Sequence, residues 1–548
     1  MRAAVANPPV VTERSLLEPL SAEPEASLPS EPRPAPPHPG PSFPRRVVNS
    51  RWFWPITIGL VALSDRLVAL STSYDIFIDE ITYTNIAINV AHGHGVTLYG
   101  RPFALHPPAA LGLYGLAIVV FGLHGSTETV LFALRHVVIV LGAATCVLTW
   151  LLVDRAAGRS VAVIAALIAA IDPLVVSYDS RVMLEAPSQL AMVTMVLLLA
   201  MAANAQPGSA ARWRWLVGAG VAAGAVLSTK ETFGLVAGLA LLGLLASGWV
   251  VARREALAVM GIAVLGYGVT VVSVGLTSGF GVWWGAQWGG VLRLVGTKQI
   301  SGFNSPQVHV SLVSRILANG STLALTYVIL GFGSVAALGL LWRMRPWDRG
   351  RAELDHGDRI TALCAVWTVA AAAYLAYATF FGTLEEQMYY ILLLPCAVSA
   401  CLWSAGFVKV RSFRWRVLGV AVVSVGLLFD SVVWFNVHTG HDDEYRRLLS
   451  WESVHVPPTA VVACTELTSQ FLLTRGIIGQ WSTVPELKAH HVDYVILGTS
   501  LVQQGYSLAS PPFQRYLEQH ARLVFEANGK SDGSLRVYDV RPITGASR

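Results

Sequence analysis

A succession of apolar runs constrains this chain more than any other feature, each close to the roughly 20 residues that an α-helix needs to cross a bilayer. They lie at 52–71, 130–153, 160–177, 187–204, 213–229, 232–251, 256–276, 321–342, 360–380, 389–407 and 416–435. Of the 548 residues 54% are hydrophobic and only 13% are charged, whereas soluble domains carry roughly 25% charged residues. These features exclude a soluble enzyme. They predict a polytopic α-helical membrane protein with about eleven transmembrane helices, whose solvent is the lipid bilayer. The net charge of +5 is unremarkable, and no nucleic-acid partner is expected.

The position of the charges orients the chain. Basic residues crowd alternate connections: Asp154 to Arg159, Arg212 to Arg214, Arg253–Arg254, Arg343 to Arg359, and Lys409 to Arg416. They fall on one side only if the apolar stretch 109–125 does not cross, which makes it an interfacial helix. Positive residues stay inside, so the expectation is a multi-pass cell-membrane protein with a cytoplasmic N-terminus and an extracytoplasmic C-terminus. Residues 1–48, rich in Pro with Ser and Glu, cannot bury a core and read as a disordered cytoplasmic tail without an apolar signal segment. Residues 49–435 form the transmembrane domain, with a long external loop at 72–128. Residues 436–548 change character. Short β-like runs at 459–464, 494–497 and 535–540, with a helix candidate at 512–520, predict a small extracytoplasmic α/β domain.

The five cysteines form no disulfide framework or metal-ligand spacing, and four of them lie in apolar runs as small packing residues. Glu486, His490 and His491 are ligand types that could bind a metal, and their simpler reading is as solvated surface groups. There is no glycine-rich nucleotide loop.

Chemistry is expected outside. The first external loop places Asp79 and Glu80 just beyond a span end, near Tyr83 and His106-Pro107-Pro108. A carboxylate there can take a proton from an attacking hydroxyl or amine, or it can be an ordinary solvated loop acid. A second external segment, 172–187, holds Asp172, Asp179, Arg181 and Glu185 between apolar helices, where charge is costly and usually functional. Arg135 and Lys230 stand at external helix ends. Either can hold a phosphate or snorkel to the interface as an anchor. Trp283, Trp284 and Trp288 with Arg293 and Lys298 could cover the site or stack on sugar rings, or serve as an interfacial aromatic anchor, and the stretch 385–390 is a secondary candidate that could face the same cavity.

Asp79-Glu80, Tyr83, Gly100-Arg101-Pro102, His106-Pro107-Pro108, Leu134-Arg135, Arg181 to Pro187 and Gly224 to Glu231 follow one another in an order that resembles the C-type glycosyltransferases. The resemblance spans about residues 52–250 and is nearest the protein O-mannosyltransferase and lipid A aminoarabinose transferase group. It implies a C-type glycosyltransferase fold and an inverting transfer from a polyprenyl-phosphate-linked sugar to a protein, lipid or polysaccharide acceptor of the cell envelope. It further implies Asp79 as catalytic base with Glu80 beside it, and Arg135 and Lys230 at the donor phosphate. Tyr83, His106, Arg181 and Glu185 are the implied substrate contacts. Where the aminoarabinose transferases carry Glu-Lys-Pro this chain has Leu105-His106-Pro107, nearer the mannosyltransferase His-Pro-Pro, which argues against aminoarabinose as the sugar. Metal dependence varies within this superfamily. The carboxylates a divalent metal would use are Asp79 and Glu185, and no other cofactor is implied. The rival readings are a transporter or flippase of lipid-linked sugars, although no corresponding broken helices recur in two halves, and a polymer-binding envelope scaffold.

Overall fold

The computed structural model describes residue 50 and residues 52–548, apart from 298–310, 383, 411–412, 532 and 546–548. The expected N-terminal tail and Lys298 lie outside the described residues. From Arg51 onward the chain forms one compact unit.

Each apolar run becomes a helix. In chain order the elements are α1 (Phe53–Leu67), α2 (Ile78–Ala91), the short strands β1 (Thr97–Leu98) and β2 (Arg101–Pro102), α3 (Ala109–Phe121), α4 (Thr127–Ala157), α5 (Arg159–Ile171), α6 (Pro173–Asp179), α7 (Glu185–Asn204), α8 (Ala210–Leu227), α9 (Glu231–Ser247), α10 (Arg253–Ser278), α11 (Phe280–Leu294), α12 (Leu312–Ala318), α13 (Gly320–Met344), α14 (Pro346–Glu353), α15 (His356–Phe380), α16 (Gln387–Val410), α17 (Phe413–Thr439) and α18 (Glu444–His455). Among the described residues seven helices are long and apolar enough to cross a membrane alone, or eight if the bent pair α5–α6 is one span. The bend of 61° has a local cause. Pro173 opens α6 and cannot continue the hydrogen-bond ladder of α5, while Asp172 caps the new helix by accepting the Leu174 and Val175 N–H groups at 2.9 and 3.3 Å. Helix α3 has 13 residues, about 20 Å of rise, too short for the bilayer core. Small residues let the helices approach. Gly224 of α8 faces Ala263 and Gly266 of α10, and a Cβ on Gly333 of α13 would overlap the Cys396 carbonyl of α16.

The first span carries Asp65 and Arg66, and the fold pairs the arginine while one Asp65 oxygen stays buried without a partner. Arg66 is fully buried and ion-pairs with Asp179 at 2.9 Å, while Tyr390 donates to the same carboxylate at 2.7 Å. Gly142 leaves room for it, since a side chain there would overlap Asp179.

The C-terminal region builds a five-stranded sheet from β3 (Val461–Cys464), β4 (Ile477–Gly479), β5 (Tyr494–Gly498), β6 (Arg522–Asn528) and β7 (Ser534–Asp539). Its order is β4-β3-β5-β7-β6, parallel among the first three and antiparallel thereafter. One sheet face, with Val462, Ile496 and Val537, joins α18, α2 and the start of α4 in a shared core that includes Ile76, Ile81, Leu131 and Val182. The opposite face packs a separate core around Leu487, Val495 and Leu517. Glu486 belongs to a helix start, where it accepts the Ser482 and Thr483 N–H groups at 3.0 Å each, and His490 stacks on Trp481.

Candidate active site

Helix α2 carries Asp79 in its first turn, with Glu80 next to it and Tyr83 one turn on. Phe77, in extended conformation, opens the helix, and Glu80 reaches back to accept its N–H at 3.2 Å. Adjacent helical residues point to different faces, and the two acids part company here. Glu80 faces inward and is fully buried. It accepts Arg135 Nε at 3.0 Å and a second guanidinium nitrogen at 2.7 Å, together with the Val182 N–H at 2.7 Å. Arg135 spends its remaining donors on the carbonyls of Leu70 (2.9 Å), Tyr74 (3.0 Å) and Asp75 (3.3 Å). All five of its N–H groups are thus committed, and none is left for a phosphate. The expected pair of a second acid and a phosphate-binding arginine is a buried clasp. It fixes α2 to α4 and to the segment before α7.

Asp79 faces the other way. No described residue donates a hydrogen bond to its side chain, and the charges acting on it are those of Lys230, His106, Glu185 and Glu385. Burial pushes its carboxyl up to about 6, with Lys230 and then His106 pulling it back. Tyr83 lies on the same face, its ring edge-on to His106 with centroids 6.0 Å apart. Burial, reinforced by the Asp79 charge, holds the Tyr83 phenol far above its usual range, so it stays a donor.

Lys230 opens α9 in extended conformation (φ −151°), which turns its side chain off the helix axis. Its ammonium donates to Glu185 in the first turn of α7 and to Gln387 Oε1 in the first turn of α16 at 2.6 Å. The chain of contacts runs on through Gln387 to Glu385 and from Glu385 to Arg293 of α11 at 2.8 Å. Beside it His106 Nδ1 lies 3.2 Å from Glu231 Oε2. Asp79, Tyr83, His106, Glu185 and Lys230, drawn from four separate segments, therefore share one site, and Glu385, Gln387, Glu231 and Arg293 complete it. Arg181 does not join them. It lies over the Tyr74 ring at 5.3 Å and reaches Ser531 of the C-terminal domain at 3.4 Å.

Glu185 Oε2, buried without a partner, and the Asp79 carboxylate are the groups here that would ligate a metal, and among the described residues no third ligand joins them. Glu185 gives its other oxygen to Lys230.

Comparison with solved structures follows this geometry. The oligosaccharyltransferase of Archaeoglobus fulgidus, solved with zinc and sulfate, superposes with a TM-score of 0.55 at 14% identity, covering 89% of this chain and 73% of that one. ArnT from Cupriavidus metallidurans, bound to undecaprenyl phosphate, gives 0.52 at 15% identity, covering 91% of this chain and 100% of that one. The fold is that of the C-type glycosyltransferases. The family described as dolichyl-phosphate-mannose-protein mannosyltransferase matches residues 106–274, a stretch that contains His106, Arg135, Arg181, Glu185 and Lys230 and begins after Asp79. No curated protein sequence matches this one. A transporter finds no support in these likenesses.

Proposed function

We propose that the chain is an inverting glycosyltransferase that moves a sugar from a polyprenyl-phosphate donor to a cell-envelope acceptor on the outer face of the membrane, with Asp79 as base. The observation that carries this reading is Asp79 itself. It is a carboxylate on an exterior helix with no donor from any described residue, a raised pKa, and a lysine among the charges beside it. An acid tuned to about 6 is ionised at neutral pH yet basic enough to draw a proton from a hydroxyl as it attacks. Attack on the anomeric carbon from the acceptor side expels the lipid phosphate from the opposite face, which inverts the sugar.

The phosphate then needs a cation that can reach it. Lys230 serves, with Arg293 brought near through Glu385 and Gln387. Both sit at ends of helices, where a lipid headgroup lies, and positive charge there stabilises the leaving phosphate. Glu185 holds Lys230 in place, and Tyr83 and His106 line the acceptor or sugar side. Arg135 and Glu80 act through Asp79 by fixing its helix. Purified protein given a radiolabelled polyprenyl-phosphate sugar and a membrane-envelope acceptor fraction should move label into the acceptor. Movement of intact labelled lipid across vesicles without transfer would favour the flippase instead.

A further inference from the structure

The C-terminal domain meets the catalytic loop at a cluster of three carboxyl groups, Asp75, Asp442 and Glu444, all buried. Two of them are conventionally bonded. Asp442 accepts the N–H groups of Lys530 (2.7 Å) and Ser531 (2.9 Å) and the Ser531 hydroxyl (2.6 Å), while its own N–H donates to the Thr72 carbonyl at 2.8 Å. Asp75 accepts the Ile76 N–H at 2.8 Å and the Tyr445 N–H at 3.2 Å. Glu444 differs. It is 0% exposed, and neither carboxyl oxygen has a hydrogen-bond donor from another residue. Gly529 has no side chain where this carboxyl lies, and a Cβ there would overlap it. The Asp75 carboxyl is brought beside it, since Asp75 Oδ2 accepts the N–H of Tyr445, the residue next to Glu444, at 3.2 Å, and the two acids act on each other electrostatically.

Two carboxyls in contact away from water cannot both be ionised. A proton on Glu444 gives it a donor for Asp75 and removes a stranded charge. We propose that Asp75 and Glu444 are positioning residues that share one proton, and that this proton docks the C-terminal domain onto the strip of chain that delivers Asp79. Strip 70–75 is held on its other side by Arg135, so the domain and the clasp grip the same residues. Charged or titratable groups around the pair include Tyr74, Asp442 and Arg135 in or against the strip, Arg446, which donates to the Ser71 carbonyl at 3.3 Å, Asp443 and Tyr445 on either side of Glu444, Arg181 over the Tyr74 ring, His438 with its ring 5.7 Å from that of Tyr74, and Lys530, whose ammonium bonds the Asn436 carbonyl at 3.1 Å. None of them donates to Glu444.

Burial, then the Asp75 contact, raises the Glu444 carboxyl above its ordinary range, and burial raises Asp75. The sign follows. The docked pair keeps a proton that the undocked pair releases at neutral pH, so docking is strongest at low pH and weakens as pH rises toward the raised value. One proton of difference means about tenfold weaker docking per pH unit.

The test uses the full-length protein in detergent, with amide hydrogen exchange corrected for intrinsic rate between pH 6 and 9. Protection of the Asp75, Asp442 and Tyr445 amides should fall by up to tenfold per pH unit in the wild type. In Glu444→Gln, whose amide donates to Asp75 at every pH, it should stay level. Asp75→Asn also removes the shared proton but takes an acceptor from the Ile76 or Tyr445 N–H, so it is read at the Asp442 amide, where the profile should likewise flatten, and it keeps the test open if Glu444→Gln does not fold. A flat wild-type profile, or a Glu444→Gln profile that tracks the wild type, overturns the proposal. The effect on turnover rests on Asp79 being the base, but docking does not. If turnover is insensitive while exchange behaves as stated, the fault lies with the catalytic reading.

Discussion

Arg135 divides two accounts of this site, and its removal separates them. As a phosphate contact, Arg135→Ala would weaken donor binding by about tenfold or more and leave the fold alone. As the clasp described above, it would leave the Glu80 carboxylate buried without its guanidinium and three backbone carbonyls short of a donor. Breaking a buried ion pair from one side costs about 3–5 kcal/mol, and the stranded carbonyls add to that. We therefore expect Arg135→Ala to lower thermal stability in detergent markedly and to cut turnover, with donor affinity in the folded fraction unchanged. Glu80→Ala should behave alike. The double variant should lose about 1–3 kcal/mol less than the two singles summed, because each single strands the other member of the pair and the double strands neither. The readouts are thermal unfolding and titration with a labelled lipid donor. A stable Arg135→Ala protein with weakened donor binding would refute the clasp and return the residue to the phosphate.

Lys230→Ala should weaken donor binding by about tenfold or more, the loss of one charge-assisted contact, measured by the same titration; unchanged affinity would remove it from the phosphate. Activity should rise with pH through about 6 as Asp79 loses its proton. An acid limb near 4 in the turnover profile would contradict the raised value. For topology, an impermeant thiol reagent applied to intact cells should modify Gln503→Cys and miss His356→Cys; the native cysteines are all buried and give little background. The reverse pattern would invert the orientation drawn from the basic connections.

Hydropathy made the helices legible because the bilayer leaves a helix no choice but a long apolar run. The eleven runs correspond to helices α1, α4, the α5–α6 pair, α7 to α10, α13 and α15 to α17. In the C-terminal domain the buried strands β3, β5 and β7 could be read from their apolar residues. β4 has three residues, and β6 is a sheet edge with exposed Arg522 and Leu523, so neither carries a pattern. At the site, Asp79, Glu185 and Lys230 were legible as charges out of place in apolar surroundings. The pairing of Glu80 with Arg135 was not, because two neighbouring acids look alike until a helix turns one inward toward a guanidinium 55 residues away. Glu444 carried no signal either, since an acid in a polar segment reads as solvated and only the fold reveals that it is buried against Asp75.

The account stands most directly on Asp79→Asn, assayed as a single turnover of labelled polyprenyl-phosphate sugar by the purified, folded protein. Asparagine keeps the shape but cannot take a proton, so the rate should fall by roughly two to four orders of magnitude, while donor affinity, carried by Lys230, stays near that of the wild type. Asp75→Asn is no neutral control, since that carboxyl accepts the Ile76 and Tyr445 N–H groups; Arg155→Ala, at the far end of α4 from Arg135, serves better. Near-normal turnover in Asp79→Asn would contradict the assignment of Asp79 as the base.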